Sequence, residues 1–165
     1  MKKWLALAIT HLAALGLGFA LGVYALPILI AQPAPAPAAV TKVADEALLG
    51  GYFDPALTAS DWLHWGEGEI WLSVTHIALR GRLAPGPDYR LYLSPRAVTD
   101  AASFHAHREQ MTLVGDVRGF DGFVLPLPPG TNPADFQSAV VWCEAFGQFI
   151  SATALHAVPG GTPMQ

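Results

Sequence analysis

Apolar residues are distributed unevenly along the chain, with one long run at its start. From Trp4 to Ala31 the sequence contains no acidic or basic residue except His11. About 20 apolar residues are enough for a helix to cross the hydrocarbon core of a bilayer. Residues 1–31 are therefore predicted to be a transmembrane signal anchor.

The length and flanks of this run indicate its orientation. A cleaved signal peptide has an apolar core of only roughly 7 to 15 residues, which favours an uncleaved anchor, although the Ala-rich sequence after Ile30 leaves cleavage open as an alternative. Lys2 and Lys3 precede the run, and the next basic residue is Lys42. The positive-inside rule then predicts a single-pass protein of a bacterial-type inner membrane, with a cytoplasmic N-terminus and a periplasmic or extracellular domain.

Small residues recur at every fourth position within the run, at Ala14, Gly18 and Gly22. This spacing lets a second helix approach closely, although small residues are common in membrane spans anyway. Helix pairing through this stripe is one partner interaction that the sequence allows.

Residues 32–44 form a Pro/Ala-rich linker that begins "QPAPAPAAV". Alternating proline favours an extended polyproline II conformation and a semi-rigid spacer. The linker is therefore expected to hold residues 45–165, which are enough for one core, away from the membrane as a single domain.

Residues 45–165 show short apolar or alternating segments separated by glycine and proline. Their β-branched and aromatic content predicts about seven strands in an antiparallel β-sandwich. Two segments are expected to be helical: "TKVADEALLG", capped by Thr41 or Asp45 and stopped by Gly50, and "VTDAASFHAH", capped by Thr99 or Asp100. The predicted strands include "EIWLSVTHIAL", "YRLYLS", "MTLVGDV", "GFVLPL", "SAVVWCEAF" and "QFISATAL", and "APGPD" is expected to turn between two neighbouring strands.

The segment "SAVVWCEAF" holds the only cysteine of the chain. Period-two alternation places Ala139, Val141 and Cys143 on one face and Val140 and Trp142 on the other. Because both faces are apolar, the segment is predicted to be an internal strand.

Charge and motifs narrow the possible functions. From Val43 onward six arginines oppose thirteen acidic residues, a balance of −7, which is a poor match for nucleic acid. No P-loop, Gly-x-Ser-x-Gly or Cys-x-x-Cys-His motif is present, which argues against an ordinary hydrolase or kinase and against covalent haem attachment. A lone exported cysteine cannot close an internal disulfide, so Cys143 is expected to be buried, ligated or used.

Other side chains are weaker candidates for chemistry. His105, His107 and Met111 are metal-ligand types, but the two histidines lie in the polar stretch "FHAHREQ", which Met111 directly follows and which is typical of a surface connection. Trp142 and three further tryptophans are suited either to contact a planar cofactor or to core packing. The residues alone leave both alternatives open.

Four sequence elements follow one another between Gly51 and Leu155. They are "GYFDPALTASDWLHWGEGEIWL", "GPDYRLYLSP", "TLVGDVRGFDGFVLPLP" and "FQSAVVWCEAFGQFISATAL". In this order they resemble the electron-transfer DM-thirteen domain, a relative of the DOMON domain found alone in bacterial membrane-anchored proteins. Arg118-Gly119 and Val114-Gly115 stand where the family usually has Lys-Gly and Leu-Gly.

The resemblance implies an all-β redox component rather than a classical enzyme. Cys143 corresponds to the family cysteine, which is proposed to act as a bare thiol or as a ligand to a prosthetic group such as haem, so the cofactor stays unknown. His64 matches a family position and is a candidate neighbour of Cys143, and Trp142 is a candidate cofactor contact. The leading hypothesis is electron transfer with a redox protein partner; the alternative is a tethered binding or assembly module with an inert cysteine.

Overall fold

A computed structural model describes residues 1–159 of the chain. The helices are α1 (Lys2–Ile30), α2 (Pro37–Asp45) and α3 (Ala101–His107), with short 3-10 helices at Arg108–Gln110 and Pro133–Asp135. The strands are β1 (Leu49–Phe53), β2 (Gly66–Leu72), β3 (His76–Leu83), β4 (Tyr89–Ser94), β5 (Thr112–Val117), β6 (Phe123–Pro126), β7 (Ser138–Cys143), β8 (Gln148–Ala154) and β9 (His156–Ala157).

The strands form two antiparallel sheets, which confirms the predicted β-sandwich. One sheet has the order β6-β3-β2-β1-β9 and the other the order β5-β4-β7-β8. The predicted strand "EIWLSVTHIAL" is in fact two strands, β2 and β3, joined by a turn at residues 73–75. Glycine-rich β1 and two-residue β9 were not predicted because they carry little apolar periodicity. Apolar side chains from both sheets fill the space between them, including Phe53, Ile70, Leu79, Leu91, Val141 and Ile150.

Strand β7 lies inside its sheet, between β4 and β8, as predicted. Val141 and Cys143 belong to the core between the two sheets. Val140 and Trp142 belong to a second apolar cluster on the outer face of the same sheet. The two faces of β7 are therefore those that the alternation predicted.

The segment Ala84 to Asp88 does not join two paired strands, so that prediction is wrong. It leads from β3 in one sheet to β4 in the other. Its first residue still pairs, since Ala84 N donates to Trp65 O at 2.9 Å, but Pro85 and Pro87 have no N–H to continue a ladder. The two prolines thus end the first sheet and let the chain cross.

Helix α3 is confirmed, and its cap is Asp100 rather than Thr99. The Asp100 side chain accepts from Ser103 N at 2.7 Å, and the Ser103 hydroxyl accepts from Asp100 N at 3.1 Å. This reciprocal pair is a capping box that satisfies N–H groups left free at a helix start.

Helix α2 begins before its predicted caps, so the assignments of Thr41 and Asp45 are wrong. Pro37 is its first residue, where a fixed φ and a missing N–H are favourable. The predicted stop, Gly50, lies in β1. Val40 and Val43 pack against Ala78 of β3, and this tertiary contact outweighs the extended preference of the Pro/Ala sequence.

Helix α1 is long and apolar enough to cross a membrane by length and composition. Its last turns contact the sandwich: Pro27 is buried, and Gln32 N donates to Arg118 O at 2.8 Å. The Pro/Ala segment is therefore docked on the domain and does not act as a spacer. A Cβ at Gly18 or Gly22 would meet no atom within 4 Å, so this chain leaves the small-residue stripe open and helix pairing stays a prediction.

Candidate functional site

The lone cysteine lies at one end of the sandwich. Cys143 is the last residue of β7, pairs with Tyr89 of β4, and is 2% exposed. Residues 144–147 turn the chain into β8, and Gly147 has a φ of 59°, which favours glycine. The thiol is thus fixed between a hairpin turn and the crossing segment that precedes β4.

The thiol lines a small cavity of about 140 Å³ that brings together distant parts of the chain. His64, predicted as a candidate neighbour, lies on its wall, so the fold brings His64 and Cys143 to one place. Helix α1 closes another side. The other lining residues are Ala20, Val23, Tyr24, Leu63, Pro85, Gly86, Pro87, Tyr89, Phe146 and Ile150.

Asp61 holds the imidazole of His64 in position. The two carboxylate oxygens lie 2.9 and 3.0 Å from His64 Nδ1. Because an ionised carboxylate only accepts hydrogen bonds, Nδ1 carries the proton and Nε2 is the ring nitrogen left as an acceptor. The hydrogen bond from His64 lowers the pKa of Asp61 below its usual value.

Asp61 was not among the residues predicted from the sequence, although the sequence around it carries a recognisable turn signal. Oδ1 of Asp61 accepts from the backbone N–H groups of Leu63 and His64, at 2.7 and 2.8 Å. An aspartate that begins a turn in this way is a common local motif. The spacing Asp-x-x-His within the turn therefore places carboxylate and imidazole on the same side.

The surroundings of Cys143 keep the resting thiol protonated. Burial raises its pKa, while hydrogen bonds from the backbone of Phe146, Asp88 and Ala145 act in the opposite direction. Burial, and then the nearby sulfur, also raise the pKa of Tyr89. Backbone N–H groups directed at a sulfur stabilise a thiolate once it forms. What the resting thiol requires in order to react is therefore a base that removes its proton.

Gly86 makes room for the aromatic wall of the cavity. A Cβ at this position would overlap the ring of Tyr89. The sequence Gly-Pro-Asp-Tyr therefore does more than turn the chain, because its glycine seats the ring that packs beside Cys143.

Trp142, the candidate cofactor contact, is not brought to this cavity. Its ring stacks on Phe104 of α3 with centroids 4.0 Å apart and an interplanar angle of 8°. It lies on the opposite face of β7 from Cys143. Trp62 and Trp71 do not join it: Trp62 is 84% exposed, and Trp71 lies under Arg80 on the other sheet.

The three weak metal candidates are separated by helix geometry. His105 and His107 are two residues apart in α3, and such positions do not face each other. His105 packs edge-on against Trp142 at 5.0 Å, and Met111 packs against the same cluster. Within residues 1–159, no three His, Cys, Asp or Glu side chains converge as a metal-binding group.

The cavity has side chains of the types that bind haem iron, but it is too small for haem. A cysteine sulfur and an imidazole are both axial haem ligands. However, about 140 Å³ is well below the roughly 300 Å³ at which small-molecule pockets begin, and α1 forms one wall. A tetrapyrrole therefore does not fit between the helix and the sandwich as they lie.

Comparison with known proteins adds one finding. The family model described as "Electron transfer DM13" matches residues 58–155. Searches of curated proteins and of solved structures gave no match. The matched segment is more than half of the chain and contains Asp61, His64 and Cys143. This protein belongs to the electron-transfer DM13 family.

Proposed function

We propose that this chain is a membrane-anchored electron-transfer protein whose redox group is the thiol of Cys143. The observation that carries the proposal is the cavity shared by Cys143 and His64, with His64 held by Asp61 at 2.9 Å. A nucleophile, a base and a group that orients the base are the parts by which proteins activate a thiol.

The chemistry proposed for this trio is thiol–disulfide exchange. His64 Nε2 takes the proton of the Cys143 thiol, and Asp61 stabilises the imidazolium. The thiolate attacks one sulfur of a partner disulfide and forms a new S–S bond, while the partner's other sulfur leaves as a thiolate. The imidazolium of His64 returns its proton to that leaving thiolate. One thiol of a partner dithiol then attacks the Cys143 sulfur and releases the remaining half of the first partner as a thiol, and the second thiol of the dithiol displaces Cys143 as it closes a disulfide. Across the cycle one disulfide is reduced by two electrons and one dithiol is oxidised.

Anchoring belongs to the same proposal. Helix α1 crosses the membrane as an uncleaved anchor, with its N-terminal lysines in the cytoplasm and the sandwich in the periplasm or outside the cell. Such a compartment is oxidising and permits disulfides. A single thiol that exchanges with partners is compatible with that environment, since the resting cavity shields it.

A tethered binding or assembly module is the second candidate. Its support is that Cys143 is 2% exposed and that burial raises the pKa of the thiol. In that case Cys143 is a packing residue and His64 only closes a turn.

The two candidates differ in the reaction of the folded full chain with dithiodipyridine, a small aromatic disulfide. We expect release of one thiopyridone per chain, restoration by a dithiol, and a rate at neutral pH that falls at least roughly tenfold in His64→Gln, since a general base contributes at least that much. Asp61→Asn should lower the rate in the same direction.

His76→Gln is the matched control, because Nδ1 of His76 is also hydrogen-bonded, at 2.9 Å to the Thr75 hydroxyl, but His76 is the first residue of β3 and does not line the cavity. Its rate should equal that of the natural sequence. Cys143→Ser should release nothing, as no other cysteine exists. A thiol that reacts only when the domain unfolds, or equal rates in all histidine variants, would establish the binding module instead.

A further inference from the structure

Exposed apolar side chains lie at and beside the Cys143 cavity, and we refer to Trp62, Leu63 and Phe146 as the apolar rim. They are 84%, 39% and 58% exposed. Leu63 and Phe146 line the cavity itself, whereas Trp62, the residue before Leu63, lines a separate surface cavity with Asp61 and Glu67. Single exposed apolar residues are common, but a group at the mouth of a cavity marks an interaction surface.

Helix α1 fixes the level of this rim relative to a membrane. Ala20, Val23 and Tyr24 form part of the cavity wall. At roughly 1.5 Å per residue, the helix from Trp4 to Tyr24 is roughly 30 Å long, which is the thickness of the hydrocarbon core. Trp and Tyr concentrate at the two membrane interfaces, so Trp4 and Tyr24 mark the two boundaries.

We propose that the apolar rim lies in the outer interface of the lipid bilayer, which covers the mouth of the Cys143 cavity. The inference rests on the proposed function in one respect, that α1 crosses the membrane. Ala20 is one helical turn before Tyr24 and thus roughly 6 Å deeper. That depth lies within the roughly 5 to 10 Å to which apolar faces sink at this interface.

The end of α1 keeps the rim in place. Pro27 is buried against the sandwich, and Gln32 is hydrogen-bonded to Arg118 at 2.8 Å. The rim therefore cannot swing away from the membrane unless these contacts break.

Charges at this end of the sandwich do not oppose the placement. Arg118 pairs with Asp116 at 2.9 Å, and Arg90 lies 3.8 Å from both Asp88 and Asp116. Asp88 and Asp116 thus have arginine neighbours, and Asp61, beside the rim, is paired with His64 at 2.9 Å, so these carboxylates do not face a zwitterionic lipid surface unpaired. The apolar rim is the part that gains from burial.

This placement determines which reagents reach the thiol of Cys143. With lipid over the cavity mouth, a redox partner meets Cys143 at the level of the membrane interface. A disulfide that dissolves in the bilayer, or one carried by a membrane protein, reaches the sulfur more directly than a charged reagent in water.

Depth can be measured without Cys143. In the Cys143→Ser background, Phe146→Cys carries an environment-sensitive fluorophore, and the full chain is reconstituted in phosphatidylcholine vesicles with brominated acyl chains. The control is Val74→Cys, because Val74 is similarly exposed, at 52%, but lies in the hairpin at the far end of β2. We expect loss of most fluorescence at position 146 and none at position 74.

Equal quenching at both positions, or none at either in chains that float with the vesicles, overturns the inference and leaves the thiol chemistry intact. Chains that do not float overturn the membrane anchoring as well. If Cys143→Ser fails to fold, bromolipid quenching of the intrinsic fluorescence replaces the label: Trp62→Phe should lose part of the quenching and Trp71→Phe should not. Unchanged quenching in Trp62→Phe contradicts the rim.

Discussion

Among single residues, Glu144 directly follows the cysteine but has its charge-bearing contacts elsewhere. Its carboxylate accepts from the Tyr92 hydroxyl and from Arg108, the latter at 2.9 Å. Burial acts to raise the pKa of Glu144, but the hydrogen bonds from Tyr92 and Arg108 outweigh it, so the pKa is lowered. In turn, burial and then Glu144 raise the pKa of Tyr92 to about 12.

A pH dependence of stability follows from this carboxylate. A pKa lowered by folding gives a contribution that is complete above the unfolded value, 4.5, and is lost as the pH falls through the folded value. Glu144→Gln should therefore lower the free energy of unfolding at pH 7 by about 1 kcal/mol relative to the natural chain, and this difference should shrink as the pH falls below 4.5. Thermal unfolding in detergent between pH 7 and 3 measures it.

Glu109→Gln is the control, because Glu109 is an exposed carboxylate next to Arg108 in the 3-10 helix Arg108–Gln110. Its unfolding should keep the pH dependence of the natural chain. A Glu144→Gln difference that does not shrink as the pH falls below 4.5 would mean that the ionised carboxylate is not the stabilising species.

Among the elements, α3 and β7 depend on one aromatic contact. Trp142 is 0% exposed and stacks on Phe104, which is also fully buried. Trp142→Ala should therefore lower the free energy of unfolding by roughly 3 to 5 kcal/mol, as for a large buried aromatic. Denaturant titration of the full chain measures this loss.

Trp62→Ala provides the comparison, since Trp62 is 84% exposed and a surface substitution usually changes stability by less than about 0.5 kcal/mol. A loss below about 1 kcal/mol for Trp142→Ala would show that the helix–sheet contact does not stabilise the fold.

Elements whose residues carry their own signal were predictable. The faces of β7 follow from strict alternation, and α3 follows from an aspartate three residues before a serine. Helix α2 was not predictable, because a Pro/Ala sequence becomes helical here through packing of Val40 and Val43 on Ala78. The passage of the chain from one sheet to the other at Pro85 was not predicted either, because strands that are consecutive in sequence need not lie in the same sheet.

In the candidate site, too, local sequence signals were predictable and contacts between distant segments were not. Cys143 and His64 were identified through the resemblance, and Asp61 was within reach of turn chemistry. The wall formed by Ala20, Val23 and Tyr24 depends on how a distant helix docks. No pattern within residues 1–31 contains that information.

For the whole molecule, the direction of the chain across the membrane is the next property to test. We expect the segment Trp4 to Ala31 to remain in the mature protein and the sandwich to face outward. Mass analysis should then find α1 intact, and protease added to spheroplasts should degrade the domain. A mature N-terminus beyond Ala31, or a domain protected until the cells are lysed, would contradict this topology.

The hydrogen bond between Gln32 and Arg118 also determines how such a protein would search for its partners. A domain on a flexible linker can move through the solution above the membrane. A domain docked on its anchor moves only by lateral diffusion of that anchor in the plane of the bilayer. For the proposed membrane-anchored chain, encounters become two-dimensional collisions. Their rate is then governed by the viscosity of the bilayer and by how many partners share its surface.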